Sequence, residues 1–414
     1  MAQHYSQPNG AVGVLMITLA IAGKPNCGKS TFFRAATLAQ AEIANYPFTT
    51  IDANHGVAYV RTACPCREMQ VPCENCRDGG VRFIPVGLID VAGLVPPEAH
   101  LGRGGLGNQF LDNLRQADAV IQVVDASGST DAEGNPIDIG SRDPPIKDIE
   151  FLQYEMSMWM YGILSRNWAK LLRQAQARDF SLAAAIAEVF AGLGITYEHV
   201  RDATGGAVGI ELRTAGGEED LIRFCRELMA ISKPMLIVGN KADLAPEGCL
   251  ERLAKHDVIF ASAAGELALR MAAEGGKFVR YLPPGDRNFI ENPPGANLSA
   301  AQRAGLAKVA EFMQKFDGTG VQKALDAAVF TLLDRIVVFP VEDEHKLTDG
   351  KGRVLPDAFL MKRGSTSRDL AYQVHTDIGE GGFLYAIDAK TGMRIKDTQE
   401  LKNGDIIKIV SVRK

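Results

Sequence analysis

Positive charge is in deficit in this 414-residue chain: 45 Lys and Arg stand against 50 Asp and Glu, a net charge of −5. That excludes a globally basic nucleic-acid binder and leaves only a local patch as a route to nucleic acid. Long hydrophobic runs are also missing. The longest, residues 12–22, is broken by Gly13 and Thr18 and stops at Gly23, too short to span a bilayer. No Lys or Arg precedes it and no small-residue cleavage site follows, so it does not read as a secretory leader. The expectation is a cytoplasmic protein with no membrane partner. Cysteine is scarce, seven residues in all, odd in number and too few for a disulfide scaffold of this length. Repeats and low-complexity tracts are absent, and 46% hydrophobic with 23% charged residues excludes a disordered chain. Glycine, by contrast, is plentiful at 42 residues. That means either floppy linkers or many tight turns that hold ligands.

Apolar β-rich runs at residues 14–22, 81–89, 119–124, 234–238 and 258–261 alternate with helical patterns at 30–41 and 106–116. Continuous apolar strands separated by helices predict an α/β fold, a mostly parallel sheet with helices on both faces. Residues 1–12 read as a flexible polar extension, with Met16 as an alternative start. Residues 13–145 and 233–335 form the sheet domain, the latter part ending in helical patterns at 299–316 and 321–333. Between them, 146–232 is a helical insert, where Ile149, Leu152, Met156, Trp159, Met160 and Ile163 make an apolar stripe. Residues 336–414 change character: strand-like ends flank a helix near 366–376 and a β stretch at 382–387, a β-grasp-like layout.

Gly23-Lys24-Pro25-Asn26-Cys27-Gly28-Lys29-Ser30-Thr31 matches G-x-x-x-x-G-K-[ST] between a strand and a helix. The glycines let successive N–H groups turn inward to phosphates, and the helix N-terminus adds its positive end. Lys29 would reach the β- and γ-phosphates, and the Ser30 hydroxyl would ligate Mg²⁺. Asp90-Val91-Ala92-Gly93 follows the strand at 83–89. Asp90 would hold Mg²⁺ through water, and the Gly93 amide would bond the γ-phosphate. In Asn45-Tyr46-Pro47-Phe48-Thr49-Thr50-Ile51, Thr50 is the residue expected to reach Mg²⁺, with Thr49 as the runner-up. Leu94 stands where many GTPases orient the attacking water with Gln, and leucine can do no such thing. Turnover is therefore expected to be slow, or to wait for a partner. The glycines from Gly102 to Gly107 suit a moving switch, and His100 beside them reads as a solvent-exposed histidine.

Asn240-Lys241-Ala242-Asp243 ends the strand at 234–238. The Asp243 carboxylate would accept both the N1–H and the 2-amino hydrogens of guanine, a pairing adenine cannot offer. Asn240 would tie this loop to the phosphate loop, the Lys241 stem would cover the base, and Ser262-Ala263 would bring the Ala263 amide to the guanine O6. Cys64, Cys66, Cys73 and Cys76 offer C-x-C and C-x2-C pairs at a hairpin tip. A structural Zn²⁺ is the leading expectation, with reduced thiols and disulfides as alternatives. Cys27, Cys225 and Cys249 read as packing residues.

The segments GKPNCGKST, NYPFTTID, DVAGLVPPEAHLGRGGLGNQFLDNLRQAD and NKAD resemble the Obg-related GTPases of the YchF branch, and RGSTSRDLAYQVHTDIGEGGFLYAID is similar to their TGS domain. With its cysteine-bearing and helical inserts, the chain looks most like the archaeal-type members. The resemblance implies a P-loop GTPase domain, an inserted helical domain and a C-terminal β-grasp-like TGS domain. It also implies binding of GTP and GDP, ribosome or RNA association, and a role in translation or stress. Some members with altered base-selecting loops prefer ATP; Asn240, Lys241 and Asp243 imply GTP here. Leu94 matches the family's hydrophobic residue, whereas Pro97 and Gly105 lengthen the usual second switch. Related GTPases use an Asn at the position of Asn26 to help bind K⁺, which implies a K⁺ site or else a loop cap. A monomer is expected. Residues 336–414 carry thirteen Lys or Arg and twelve Asp or Glu, so charge makes no case for RNA there. Arg363, Arg368 and His375 form either a local patch or a solvated face.

Overall fold

The computed structural model describes residues 16–37, 54–91, 113–142, 145–177, 180–205, 217–273, 278–281, 285–291, 298–375 and 378–412. Strands β1 (Thr18–Ala22), β2 (His55–Ala63), β3 (Cys76–Arg77), β4 (Val81–Asp90), β5 (Ala119–Asp125), β6 (Met235–Asn240) and β7 (Ile259–Phe260) make one sheet. Its order is β2-β4-β1-β5-β6-β7, with β3 on β4. β4, β1, β5, β6 and β7 run parallel, while β2 and β3 pair antiparallel with β4. The sheet domain is therefore mostly parallel, as expected. β5 is buried along its whole length, which is why its sequence is apolar without alternation.

Helix α1 (Lys29–Ala36) follows the first loop, and α2 (Ile146–Gln174) is 29 residues long, about 44 Å at 1.5 Å per residue. α3 (Leu182–Val189), α4 (Tyr197–Ala203) and α5 (Glu218–Ser232) follow. The buried stripe of α2, from Leu152 through Met156, Met160, Leu164 and Trp168 to Leu171, joins α3–α5 and one sheet face at Ala20, Ile89 and Val120. The helical region thus packs directly on the sheet. Of the expected stripe, Ile149, Leu152, Met156 and Met160 are buried, whereas Trp159 and Ile163 pack at its partly exposed margin. The opposite sheet face, with Leu19, Ile21, Ile121 and Val123, packs on α1 and on Val321, Ala324 and Leu325. Further helices are α6 (Glu247–Leu253), α7 (Ala263–Ala273), α8 (Ala300–Phe316) and α9 (Val321–Asp326), the last widening into a π-type turn over Ala327–Leu332. β8 (Val279–Arg280) and β9 (Ile290–Glu291) form a small ladder.

The last strands are β10 (Arg335–Val341), β11 (Phe359–Lys362), β12 (Phe383–Asp388), β13 (Met393–Ile395) and β14 (Asp405–Ser411), in the order β11-β10-β14-β12-β13, with α10 (Ser367–Val374) across one face. Short β11 and β13 were not legible in the sequence. They are edge strands of three or four residues, too short for a period-two pattern to stand out. β10 alternates. Ile336 and Val338 face the core shared with Leu370. Val337, Phe339 and Val341 belong instead to the core of the sheet domain. One strand thus serves two cores through the two-residue side-chain period. Among the described residues no helix is long and apolar enough to cross a membrane.

Candidate functional site

The loops that follow β1, β5, β6 and β7 open at the carboxyl edge of the parallel strands, the usual ligand edge of such sheets. Register puts Ile21 beside Asp90 and Asp125 beside Asn240. The phosphate loop from Gly23 to Gly28 links β1 to α1. Gly28 has φ +96°, and a Cβ there would run into the Asn240 amide. Asn240 accounts for that tightness. Its Nδ2 donates to the Cys27 carbonyl at 3.1 Å, and its Oδ1 accepts from the Ala263 amide at 3.0 Å. One side chain thus ties three loops together.

Lys29 is nearly buried, and its Nζ donates to the Lys24 carbonyl at 2.8 Å. Ser30, exposed on the rim of the loop, donates from Oγ to Asp90 Oδ2 at 3.0 Å. Those two oxygens form a hard, oxygen-only donor pair that fits Mg²⁺. Burial raises the Asp90 carboxyl above the ordinary carboxylate range, while the Ser30 bond and the Lys29 charge oppose it. Thr31 lies in the first turn of α1, and Pro25 lies against Gly134. Lys24 turns away from the loop. Its Nζ pairs with Asp148 at 2.7 Å and donates to the carbonyls of Thr130 and Asp131. Asn26 donates from Nδ2 to the Gly134 carbonyl at 3.0 Å. Cys27 is fully buried, and burial pushes its thiol up.

Ser262 and Ala263 both make contacts within the protein. The Ala263 amide is engaged by Asn240, and Ser262 caps α7 by accepting from the Gly265 amide at 3.1 Å. The exposed residue at this helix start is Ala264. Lys241 extends to Asp125, with Nζ 2.9 Å from Oδ2. Asp243 is exposed beside it. Asp125 itself was missed in the sequence. It is fully buried and accepts from Ser127 and Ser129 and from Thr130 at 2.9 Å. Burial alone would raise its pKa, but the bonds from Ser127 and Lys241 and the Lys241 charge hold it below the usual range. The available signal was a strand-end Asp followed by Ser-x-Ser-Thr. Thr49, Thr50, Gly93, Leu94, Pro97, His100, Gly102 and Gly105 lie outside the described residues.

The four clustered cysteines meet as the spacing suggested. Their sulfurs all lie within 4.8 Å of one another. Cys64 and Cys73 are 3.9 Å apart, and Cys66 and Cys76 are 3.7 Å apart. Four sulfurs about 2.3 Å from a tetrahedral Zn²⁺ would sit about 3.8 Å from each other. All four are free thiols in this arrangement. The hydrogen bond from Cys64 pulls Cys73 down to about 5, and the same bond pushes Cys64 up. Cys225 and Cys249 are buried packing residues. In the C-terminal domain Arg363 pairs with Asp334 at 2.7 Å, Arg368 is exposed and His375 is half-buried.

Comparison with known proteins agrees with this geometry. Residues 18–151 match the family described as 50S ribosome-binding GTPase. Residues 238–343 match Obg-like GTPase YGR210-like, G4 motif-containing domain, and residues 347–411 match the TGS domain. A GTP-binding protein of Methanocaldococcus jannaschii is 48% identical over 408 residues, covering 96% of this chain and 100% of that protein. The ribosome-binding ATPase YchF of Bacillus subtilis is 32% identical over 61% of this chain and 64% of its own length. The crystal structure of a GTP-binding protein from Pyrococcus horikoshii superposes with a TM-score of 0.74 at 40% identity, covering 96% of this chain and all of that one.

Proposed function

Because the chain belongs to the Obg-like GTPases related to YchF, carrying a C-terminal TGS domain, we propose that it binds GTP and hydrolyses it to GDP and phosphate. The observation that carries this reading is Asn240, which joins the phosphate loop to the base-selecting loop in one rigid frame. Backbone amides of Gly23 to Thr31 cradle the phosphates, and Lys29 leaves the Lys24 carbonyl for the β- and γ-phosphates. Asp243 accepts from the guanine edge. With the Ala263 amide engaged by Asn240, the amide of the exposed residue Ala264 is proposed for the O6 contact in its place. Ser30, Asp90 through water and, with triphosphate bound, Thr50 would hold Mg²⁺, which would supply positive charge to the phosphates. The Gly93 amide reports the γ-phosphate. Leu94 leaves the attacking water unoriented, so turnover is slow. Asn26 would help hold K⁺, which would supply the charge an arginine finger otherwise brings.

Titration with GTP, GDP, ATP and ADP in Mg²⁺ tests base choice. GTP at least about 100-fold tighter than ATP is expected from a matched polar edge, and equal affinities would overturn it. The name of the Bacillus subtilis relative favours the other outcome, an ATP-preferring hydrolase of the same fold. Turnover in KCl against NaCl tests the Asn26 site, and equal rates would reject it.

We further propose a cytoplasmic, monomeric regulator of translation or stress; the name of the ribosome-binding relative supports its ribosome association. The second reading is a scaffold in which nucleotide state gates ribosome or RNA contact and hydrolysis is incidental. Co-sedimentation with ribosomes in GTP and GDP tests it: sedimentation that ignores the nucleotide counts against gating. Cys64, Cys66, Cys73 and Cys76 hold a structural Zn²⁺, supported by sulfur spacings of a tetrahedral thiolate site.

A further inference from the structure

The cysteine cluster lies where two domains meet. Its segment, residues 64–80, has little apolar material of its own. Cys64 and Cys66 are buried in the same core as Val337, Phe339 and Val341 of β10 and Leu347, Leu355 and Ile406 of the C-terminal domain. Polar contacts follow the same line. Asn75, between Cys73 and Cys76, donates from Nδ2 to the Val354 carbonyl at 2.9 Å and to that of Leu355 at 3.3 Å. Glu68 pairs with Lys390 at 2.7 Å. Arg82, the ladder partner of Cys76, is nearly fully buried and donates from Nη2 to the Pro356 carbonyl at 2.7 Å.

We propose that the four-thiolate zinc site is the anchor on which the C-terminal domain docks. The reading rests on the zinc assignment above and adds what the metal is for. Zn²⁺ fixes Cys64, Cys66, Cys73 and Cys76 in one knuckle. The knuckle then holds Asn75 and Glu68 at the distances that meet residues 354–355 and Lys390, beside Arg82, which the β4 ladder holds against Pro356. Without the metal, Asn75 and Glu68 keep only the loop's few backbone bonds and its contacts with the shared core. The β2–β4 hairpin extends the consequence. Its tip is the zinc knuckle, and the end of β4 is Asp90, about 30 Å away at 3.3 Å per residue. A docked C-terminal domain is thereby attached to the strand that ends in the Mg²⁺ site.

The test uses the full chain. Metal content is measured for the unmodified protein, for Cys73→Ser/Cys76→Ser, and for chelator-stripped protein before and after Zn²⁺ is restored. Hydrogen exchange is followed in 350–358, and GTP affinity is the control for the folded nucleotide site. The expected result is about one zinc per chain, lost in the double variant. Exchange in 350–358 rises at least about tenfold on zinc loss and returns with zinc, while GTP affinity stays within about twofold. Asn75→Ala is expected to keep its zinc yet raise exchange in 350–358. Zinc-free unmodified protein would overturn the zinc assignment and the anchor with it. Zinc lost with exchange in 350–358 unchanged would overturn the anchor and leave the zinc assignment standing.

Discussion

Lys241 Nζ lies 2.9 Å from Asp125 Oδ2, joining the base-selecting loop to the end of the central strand β5. Asp125 is fully buried, so this pair sets its protonation and the loop position together. Lys241→Met keeps the apolar stem but removes the cation. Breaking a buried pair costs roughly 3–5 kcal/mol. Three hydroxyls still serve Asp125 and Lys241 is partly exposed, so about 2 kcal/mol is expected. Denaturant unfolding measures it, and an unchanged midpoint would show the pair to be idle.

Asp243 is exposed, and the proposed function gives it the base choice. Asp243→Asn replaces two acceptors with one donor and one acceptor. Guanine then loses a matched contact, while xanthine, with N1–H and a 2-oxo group, gains one. The expected outcome is a fall in GTP affinity of about 100-fold and a rise for xanthosine triphosphate. Competition binding with both nucleotides decides it; a parallel loss of both would mean Asp243 does not face the base.

Gly28 occupies positive φ directly against the Asn240 amide. Gly28→Ala must displace that side chain, which frees the Cys27 carbonyl and the Ala263 amide. A stability loss of at least about 2 kcal/mol is expected, with loss of nucleotide binding. Thermal unfolding and GTP titration report both. Normal behaviour in the variant would break the proposed link between the two loops.

Asp326 accepts from the Arg61 amide at 2.9 Å and from Gln322 at 2.7 Å. Burial pushes its carboxyl up to about 6 from 3.8, against the lowering effect of those two bonds. A folded-state pKa above the unfolded value means the fold binds the proton more tightly. The associated stability is fully present below pH 3.8 and is lost as pH rises through about 6. Its absence at neutral pH is a cost on the order of 2 kcal/mol after solvent screening. Asp326→Asn can still accept both bonds but carries no charge. The stability difference between variant and unmodified protein should therefore shrink as pH falls from 7 to 4. Parallel pH curves for the two proteins would rule out a raised Asp326.

Local motifs carried much of this protein in the sequence. Gly23 to Thr31, Asp90 and Asn240 to Asp243 are legible because phosphate, metal and base chemistry each demand particular residues at fixed spacing. The cysteine pairs are legible for the same reason. The central strand β5 is readable because a strand buried on both faces must be apolar throughout. Other features depend on residues far apart in the chain. Asp125 needs Lys241, which is distant in sequence and adjacent only once β5 and β6 pair. Ala263 gives its amide to Asn240 because two loops meet, a geometry that no local pattern encodes. β10 reads as one apolar strand, and only packing shows that its alternate residues serve different domains.

The sequence by itself determined which groups the chain offers: a phosphate-loop motif, the Ser30 and Asp90 oxygens, the Asp243 carboxylate proposed to read guanine, and four clustered cysteines. Tertiary structure decided how these are joined. It put Asn240 between three loops and set the cysteine knuckle against the C-terminal domain. The reason is range: backbone turns and ligand spacings are fixed over a few residues, whereas burial and hydrogen-bond satisfaction are settled by whichever distant segments the folded sheets bring together.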